Sequence, residues 1–271
     1  MLASGACPLS GRVVAGEKGI QMQAWFRRIL CAVLLAVAAQ AEASPPSLLI
    51  AVEDDWPPYS ERGADGAPQG LAPQLAREAF RRQGVLVSFV LVPFARCLML
   101  ARVGRVAGCL SATITDDNRG QFWWHPTPMF TEELAIFSLA AADAGLSLRD
   151  LAGRRVGITQ DYTYPSTFMR DSKIIKSVAH SDDDLIRMLL ARRVDYVLMN
   201  TRPGQLRIRG NPAAAGRIRK VGSISQDGFW LAFSKARPKG RENAAKFEAG
   251  LSAMRGDGSY ERLLKAFQPL P

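Results

Sequence analysis

The chain has 271 residues, and at roughly 150 residues per domain that length accommodates about two domains or lobes. Hydrophobic residues make up 48% and charged residues 22%, proportions of a globular domain that exclude intrinsic disorder, collagen and coiled coil. Four cysteines are too few for a disulfide scaffold and two histidines leave little for a histidine-based metal site, while a net charge of +10 permits nucleic acid, a membrane surface or a small acid as partner without choosing among them.

The first 43 residues narrow that choice. Arg27 and Arg28 precede an apolar run from Ile29 to Ala39, and Ala41-Glu42-Ala43 follows. These are the charged, hydrophobic and small-residue parts of a secretory signal, and the run is shorter than the ~20 residues a bilayer span needs. The expectation is export, with cleavage after Ala43 into a periplasmic compartment. Cys31 lacks the small residues a lipoprotein signal would place before it. Residues 1–21 resemble neither signal nor domain, and Met22 is an alternative start. Removing residues 1–43 leaves a mature chain of net charge +8. Export argues against nucleic acid and leaves an acidic small ligand or the anionic envelope. Cys97 and Cys109 then face an oxidising compartment, either as a disulfide or as two buried thiols too far apart to bridge.

The mature chain opens on an apolar run, Ser47–Glu53, which predicts a buried strand. Trp56-Pro57-Pro58-Tyr59 follows as a stiff loop, because two prolines prevent a helix. After turn residues from Gly63 to Gly70, Leu71, Leu75 and Ala79 recur at helical spacing up to Gly84. Val85–Val92 reads as a strand, Phe94–Val103 as a helix and Val106–Ala112 as a third strand. The alternation returns in strands at Arg154–Thr159, Lys173–Val178 and Val194–Met199. Ser147 with Asp150 and Ser181 with Asp184 are serine-x-x-acid helix starts. Leu134–Ala140 and Phe229–Ser234 are apolar runs between the two series. Arg241 to Gln268 reads as two helices broken at Gly256-Asp257-Gly258, with Ser259 capping the second. Strands alternating with helices predict an α/β fold of two lobes with parallel sheets, joined by those two crossing strands. The expected lobes are residues 44–138 with 230–271, and 139–229.

Enzyme templates fail in turn: there is no His-Glu-x-x-His, phosphate loop, dinucleotide glycine triplet or Gly-x-Ser-x-Gly. His125 and His180 each stand alone and read as structural or surface residues. Acid pairs such as Asp54-Asp55 and Asp116-Asp117 sit at loops and helix starts, where carboxylates satisfy backbone donors. A binding constellation is better supported. Ser111-Ala112-Thr113-Ile114-Thr115 ends a strand and leads to Arg119, and hydroxyls beside a guanidinium fork can hold a carboxylate.

Six motifs in order resemble the family 3 extracellular solute-binding proteins, the amino-acid receptors of bacterial ABC transporters. They are Trp56-Pro57-Pro58-Tyr59, Gly70 to Ala76, Thr113-Ile114-Thr115 with Arg119, Leu151 to Gly157, Val194 to Val197, and Asp257 to Glu261. The resemblance runs from about Leu48 to Phe267 and implies a type II periplasmic binding fold of two lobes closing on a ligand about two hinge strands. It places Arg119 on the ligand carboxylate with Ser111 and Thr113, and Trp56 over the ligand side chain. Thr163, at the start of a helix after Gln160-Asp161-Tyr162, would meet the carboxylate from the second lobe. It implies no cofactor, no metal, a monomer and a membrane ABC permease as partner.

Three departures bear on the site. One extra residue separates Thr115 from Arg119, Asp161 stands where many members have glycine, and Asn200 replaces the aspartate that takes the ligand ammonium. Either Glu53 substitutes for that aspartate, or the ligand carries a carboxylate and no ammonium. The expected function is periplasmic capture of a small carboxylate-bearing solute, an amino acid or related compound. The alternatives are an enzyme on the same scaffold, resembling cyclohexadienyl dehydratases with Glu53 as its acid or base, and an envelope sensor that transports nothing.

Overall fold

The structure, a computed structural model, describes residues 47–140 and 143–267; the expected leader, residues 1–43 with cleavage after Ala43, lies outside them. The first half builds on β1 (Leu48–Glu53), which pairs in parallel with β5 (Val87–Val92) over its whole length and with β6 (Gly108–Ala112) on its other side. Ile50 and Val52 point into one apolar cluster while Ala51 points into another on the opposite face, as the two-residue period of a strand requires. A sheet buried on both faces needs helices on both. α1 (Leu71–Arg81) covers one face with Leu71, Leu75 and Phe80, and α2 (Phe94–Arg102) covers the other with Phe94, Cys97 and Ala101. Gly70 starts α1 at φ 110°, and a Cβ there would lie 2.5 Å from the Tyr59 carbonyl, so only glycine fits.

The second half repeats the plan. β9 (Arg155–Thr159) pairs in parallel with β10 (Ile175–Ala179) and β11 (Tyr196–Asn200). Its helices are α3 (Ser166–Arg170), α4 (Asp182–Leu190) and α5 (Thr201–Gly210). Phe137, Leu185 and Val197 pack on one face, and Ile136, Val156 and Phe168 on the other.

Two long antiparallel strands join the halves: β8 (Phe130–Leu139) and β12 (Ile218–Ser234). β12 pairs with β8 from Ile218 to Phe229, then with β6 and the short β7 (Phe122–Trp123) from Trp230 to Ser234. One sheet of nine strands therefore runs in the order β10-β9-β11-β8-β12-β6-β1-β5, with β7 beside β12. The two apolar runs expected to cross between the lobes fall in these strands, the first as far as Leu139 and the second in full. α6 (Gly240–Gly256) and α7 (Ser259–Ala266) return to the first half, where Phe247 and Leu251 enter its core.

Differences from the sequence reading are local. The prolines after Trp56 form the turn of a small three-stranded sheet of β2 (Asp55–Trp56), β3 (Ser60–Arg62) and β4 (Pro68–Gln69). Ser259 is not the cap of α7 but its first residue. Gly258, left-handed at φ 72°, takes the cap position, and the Ser259 hydroxyl instead accepts from Arg82 at 2.8 Å. The Ser147 and Ser181 caps are present, the first on a single 3-10 turn, Leu148–Leu151. Cys97 and Cys109 form a disulfide with their Cα atoms 5.3 Å apart. It ties α2 to β6, and both cysteines are fully buried. Among the described residues no helix is long and apolar enough to cross a membrane.

Candidate ligand-binding cleft

The parallel strands of both halves end at one cleft, where open α/β sheets place ligands. β1 ends there at Glu53, β6 at Ala112 beside Ser111, and β11 at Asn200. A cavity between these ends is lined by Glu53, Trp56, Ser111, Thr113, Thr163 and Asn200, six of the seven residues singled out in the sequence. Phe94, Leu134, Tyr162, Asp227 and Phe229 complete it. Phe94 opens α2 and Leu134 lies on β8, whereas Asp227 and Phe229 sit on β12 where it crosses between the halves.

The halves meet across the cavity where the Tyr162 hydroxyl donates to Glu53 Oε1 at 2.5 Å. Glu53 is only 6% exposed. Burial penalises its charge, and neighbouring Asp182 and Asp55 oppose it further. The Tyr162 hydrogen bond and Arg207 act the other way, and the balance lifts its pKa to about 8. Burial also raises Asp227, whose hydrogen-bond partner is the Ser225 hydroxyl at 2.9 Å. Trp56 is packed at a tilt against Tyr59 and Phe229, with centroids 4.6 and 4.9 Å away. Tyr162 meets Phe94 in a T-shaped contact at 5.8 Å.

Ser111 carries two signs of a functional position. Its backbone is left-handed at φ 62° without being glycine, a conformation that costs energy and collects at ligand sites. Its hydroxyl is buried and finds no hydrogen-bond partner among the described residues. Asp161, where many members of the resembled family have glycine, is likewise left-handed at φ 61°, a conformation aspartate tolerates better than most residues.

A second cavity adjoins the first through Glu53, Phe94 and Tyr162, and adds Asp54, Asp55, Asp161, Asp182 and Arg207 among others. Arg207 ties the halves together here. It donates to the Asp55 carboxylate and carbonyl, each at 2.8 Å, and to Asp183 at 3.1 Å, and it faces Asp182 at 3.9 Å. Burial alone would lower its pKa, but the surrounding carboxylates raise it. Asp182 is held by the Thr159 hydroxyl at 2.5 Å, and burial raises its pKa.

Two expectations are corrected. Arg119 does not line the cavity but lies exposed. The neighbouring Asn118 takes the inward position. Its Oδ1 accepts from the Thr115 N–H and its Nδ2 donates to the Thr113 carbonyl, both at 2.8 Å. Those two bonds bury Asn118 and leave Arg119, the next residue, facing solvent. Thr163 does line the cavity, but not from a helix N-terminus. Pro165 holds the preceding residues extended, and α3 starts only at Ser166 and spans five residues. No helix dipole supports an anion at Thr163.

Tyr162, Asp227, Phe229 and Phe94 went unrecognised as site residues in the sequence. Asp227 carried a signal: an acid two residues before an apolar run expected to cross between lobes. Phe94 and Phe229 looked like ordinary core residues, which is what most phenylalanines are.

The chain resembles known proteins along most of its length. The lysine/arginine/ornithine-binding periplasmic protein of Escherichia coli K12 is 24% identical over 243 residues, covering 86% of this chain and 92% of that protein. The histidine-binding periplasmic protein of Salmonella typhimurium LT2 is 23% identical, covering 86% and 91%. Among solved structures, an ancestral arginine-binding protein bound to arginine superposes with a TM-score of 0.69 at 23% identity, covering 82% of this chain and 98% of that one. A histidine kinase sensor domain with similarity to periplasmic binding proteins reaches 0.71, also at 23%, covering 82% and 95%. These likenesses establish the type II periplasmic binding fold, two α/β lobes joined by crossing strands. With residues 48–269 matching the family model, the chain belongs to the bacterial extracellular solute-binding proteins, family 3.

Proposed function

We propose that the protein captures a small polar solute, an amino acid or a related compound, in the cleft between its halves and presents it to an ABC permease in the periplasm. The observation that carries this reading is the cavity built by strand ends from both halves, with Glu53 and Tyr162 meeting across it. A ligand held by two bodies gains its full contacts only when they close, so binding shifts the equilibrium toward closure. The lysine, arginine, ornithine and histidine bound by the named relatives set the size of solute to test first. The lobes are residues 44–138 with 230–271, and 139–229. The core clusters follow this division except near its bounds: Leu134 to Phe137 pack with the second lobe, Phe229 packs with the first, and Tyr162 packs against a cluster of the first as well as one of the second. Residues 1–43 act as a leader removed after Ala43, and an intact mass of the exported protein consistent with a Ser44 N-terminus tests that step.

Binding is expected without turnover. Glu53 is the acid that a dehydratase on this scaffold would need, and incubation with prephenate or arogenate is expected to leave both unchanged. Solution scattering of the purified protein, with and without a saturating solute identified by thermal shift, tests the capture reading. A smaller radius of gyration with solute is the expected result. An unchanged radius at saturation contradicts closure.

A further inference from the structure

We propose that the captured solute is an organic cation, recognised through an ammonium or guanidinium group by the acidic and aromatic lining of the cleft, with no carboxylate anchor. The inference rests on the solute-binding reading and specifies the chemistry of its ligand.

The charge of the lining runs against that of the molecule. The chain carries a net charge of +10, yet the cavity is lined by two acidic side chains, Glu53 and Asp227. Among the described residues no lysine, arginine or histidine lines it. The adjoining cavity adds four more acids, Asp54, Asp55, Asp161 and Asp182, against Arg207 and His180. Arg207 is already engaged with Asp55, Asp182 and Asp183, and His180 faces the Gln160 amide at 3.0 Å. A cleft lined by one sign of charge between low-dielectric walls concentrates the opposite ion.

The neutral groups fit the same ligand. Trp56, Phe94, Tyr162 and Phe229 give the cavity aromatic walls, and aromatic faces attract a cation more strongly once water is excluded. Ser111, 4% exposed, presents a hydroxyl whose oxygen has no partner among the described residues and is free to accept from an N–H. A carboxylate in this position would meet two acids and no cation. Burying an anion unpaired is among the costliest arrangements a protein can make.

The carboxylates have room to respond. Burial lifts the Glu53 pKa to about 8, so below that pH the empty cleft holds a proton on Glu53 that an arriving cation displaces; burial pushes Asp227 in the same direction.

Calorimetry on matched pairs tests the inference: agmatine against L-arginine, putrescine against L-ornithine, and histamine against L-histidine. Each amine is its amino acid without the carboxylate. The expected result is that at least one amine binds about ten-fold or more tighter than its amino acid, the effect of one charged hydrogen-bonding group. Two variants probe the same ligand in opposite directions, so that misfolding cannot mimic the outcome. Asp227→Asn should weaken the bound amine by about ten-fold and Asn200→Asp should tighten it. An amino acid binding tighter than its amine overturns the inference while leaving the solute-binding reading intact. Six compounds without heat or thermal shift overturn both.

Discussion

Two of the inward-facing glutamates of this molecule, Glu53 at the cleft end of β1 and Glu248 on α6, have surroundings that differ in kind. Glu248 lies where α6 packs against the segment leading into β8. Its Oε1 accepts from the Thr127 hydroxyl at 2.6 Å, and its Oε2 accepts from the Thr127 N–H and faces His125 Nδ1, both at 3.3 Å. The chain of contacts closes on itself. His125 Nε2 accepts from the Leu231 N–H at 3.1 Å, and Arg255 donates to both the Thr127 hydroxyl and the Pro128 carbonyl at 2.7 Å. Burial alone would raise Glu248, but the bonds from His125 and Thr127 bring its pKa down to about 2. Burial keeps His125, 2% exposed, below its ordinary value, consistent with a neutral ring donating from Nδ1. Glu53 has one donor, Tyr162, and otherwise faces Asp182, Asp55 and Arg207. An acid whose hydrogen bonds are complete is scaffold; an acid left short of them at a cavity is available to a ligand.

That contrast predicts opposite responses to the same conservative change. Glu248→Gln should have the largest effect, a loss of about 2 to 3 kcal/mol in thermal or denaturant unfolding, because one amide oxygen cannot serve three donors and its NH2 meets another donor. Glu53→Gln should stabilise the empty protein at pH 8 by about 1 to 2 kcal/mol, since it removes a buried charge and keeps an acceptor for Tyr162. The signs with pH also differ. The depressed pKa of Glu248 adds stability that is present above about pH 4.5 and lost as pH falls toward 2. The raised pKa of Glu53 does the reverse, its cost being absent below about pH 4.5 and growing as pH rises toward 8. Melting Glu53→Gln beside the parent at pH 5 and pH 8 checks this, and equal gains at both would break the comparison. Arg119→Ala should have the smallest effect. An exposed side chain outside the cavity should leave solute affinity within about two-fold of the parent, whereas a large loss would return Arg119 to the site.

The fold was largely legible in the chain, because a strand buried on both faces leaves an uninterrupted apolar run. The runs at Ser47–Glu53, Leu134–Ala140 and Phe229–Ser234 all became strands. α5 escaped notice because Thr201-Arg202-Pro203-Gly204 has neither an apolar stripe nor a cap signature. The cavity was legible in part, since Glu53, Ser111 and Asn200 close strands that end at the cleft. The position of Arg119 was not, because the Asn118 side chain folds back on Thr113 and Thr115 and takes the inward place, a local loop bond that spacing does not reveal. Nor was the contrast of charge between cleft and surface. Asp227 and Asp182 come from segments far apart in the chain, and only folding gathers them beside Glu53.

The cleft is expected to hold a cation against Glu53, whose carboxyl, its pKa raised to about 8 by burial, is largely protonated below pH 8 when the cleft is empty. Isothermal calorimetry of the tightest-binding amine at pH 6 and pH 8, in buffers of different ionisation enthalpy, measures this most directly. The account predicts proton release on binding at pH 6, and a dissociation constant that falls by about ten-fold or more at pH 8. Affinity that is unchanged, or that strengthens at pH 6 with proton uptake, would contradict it.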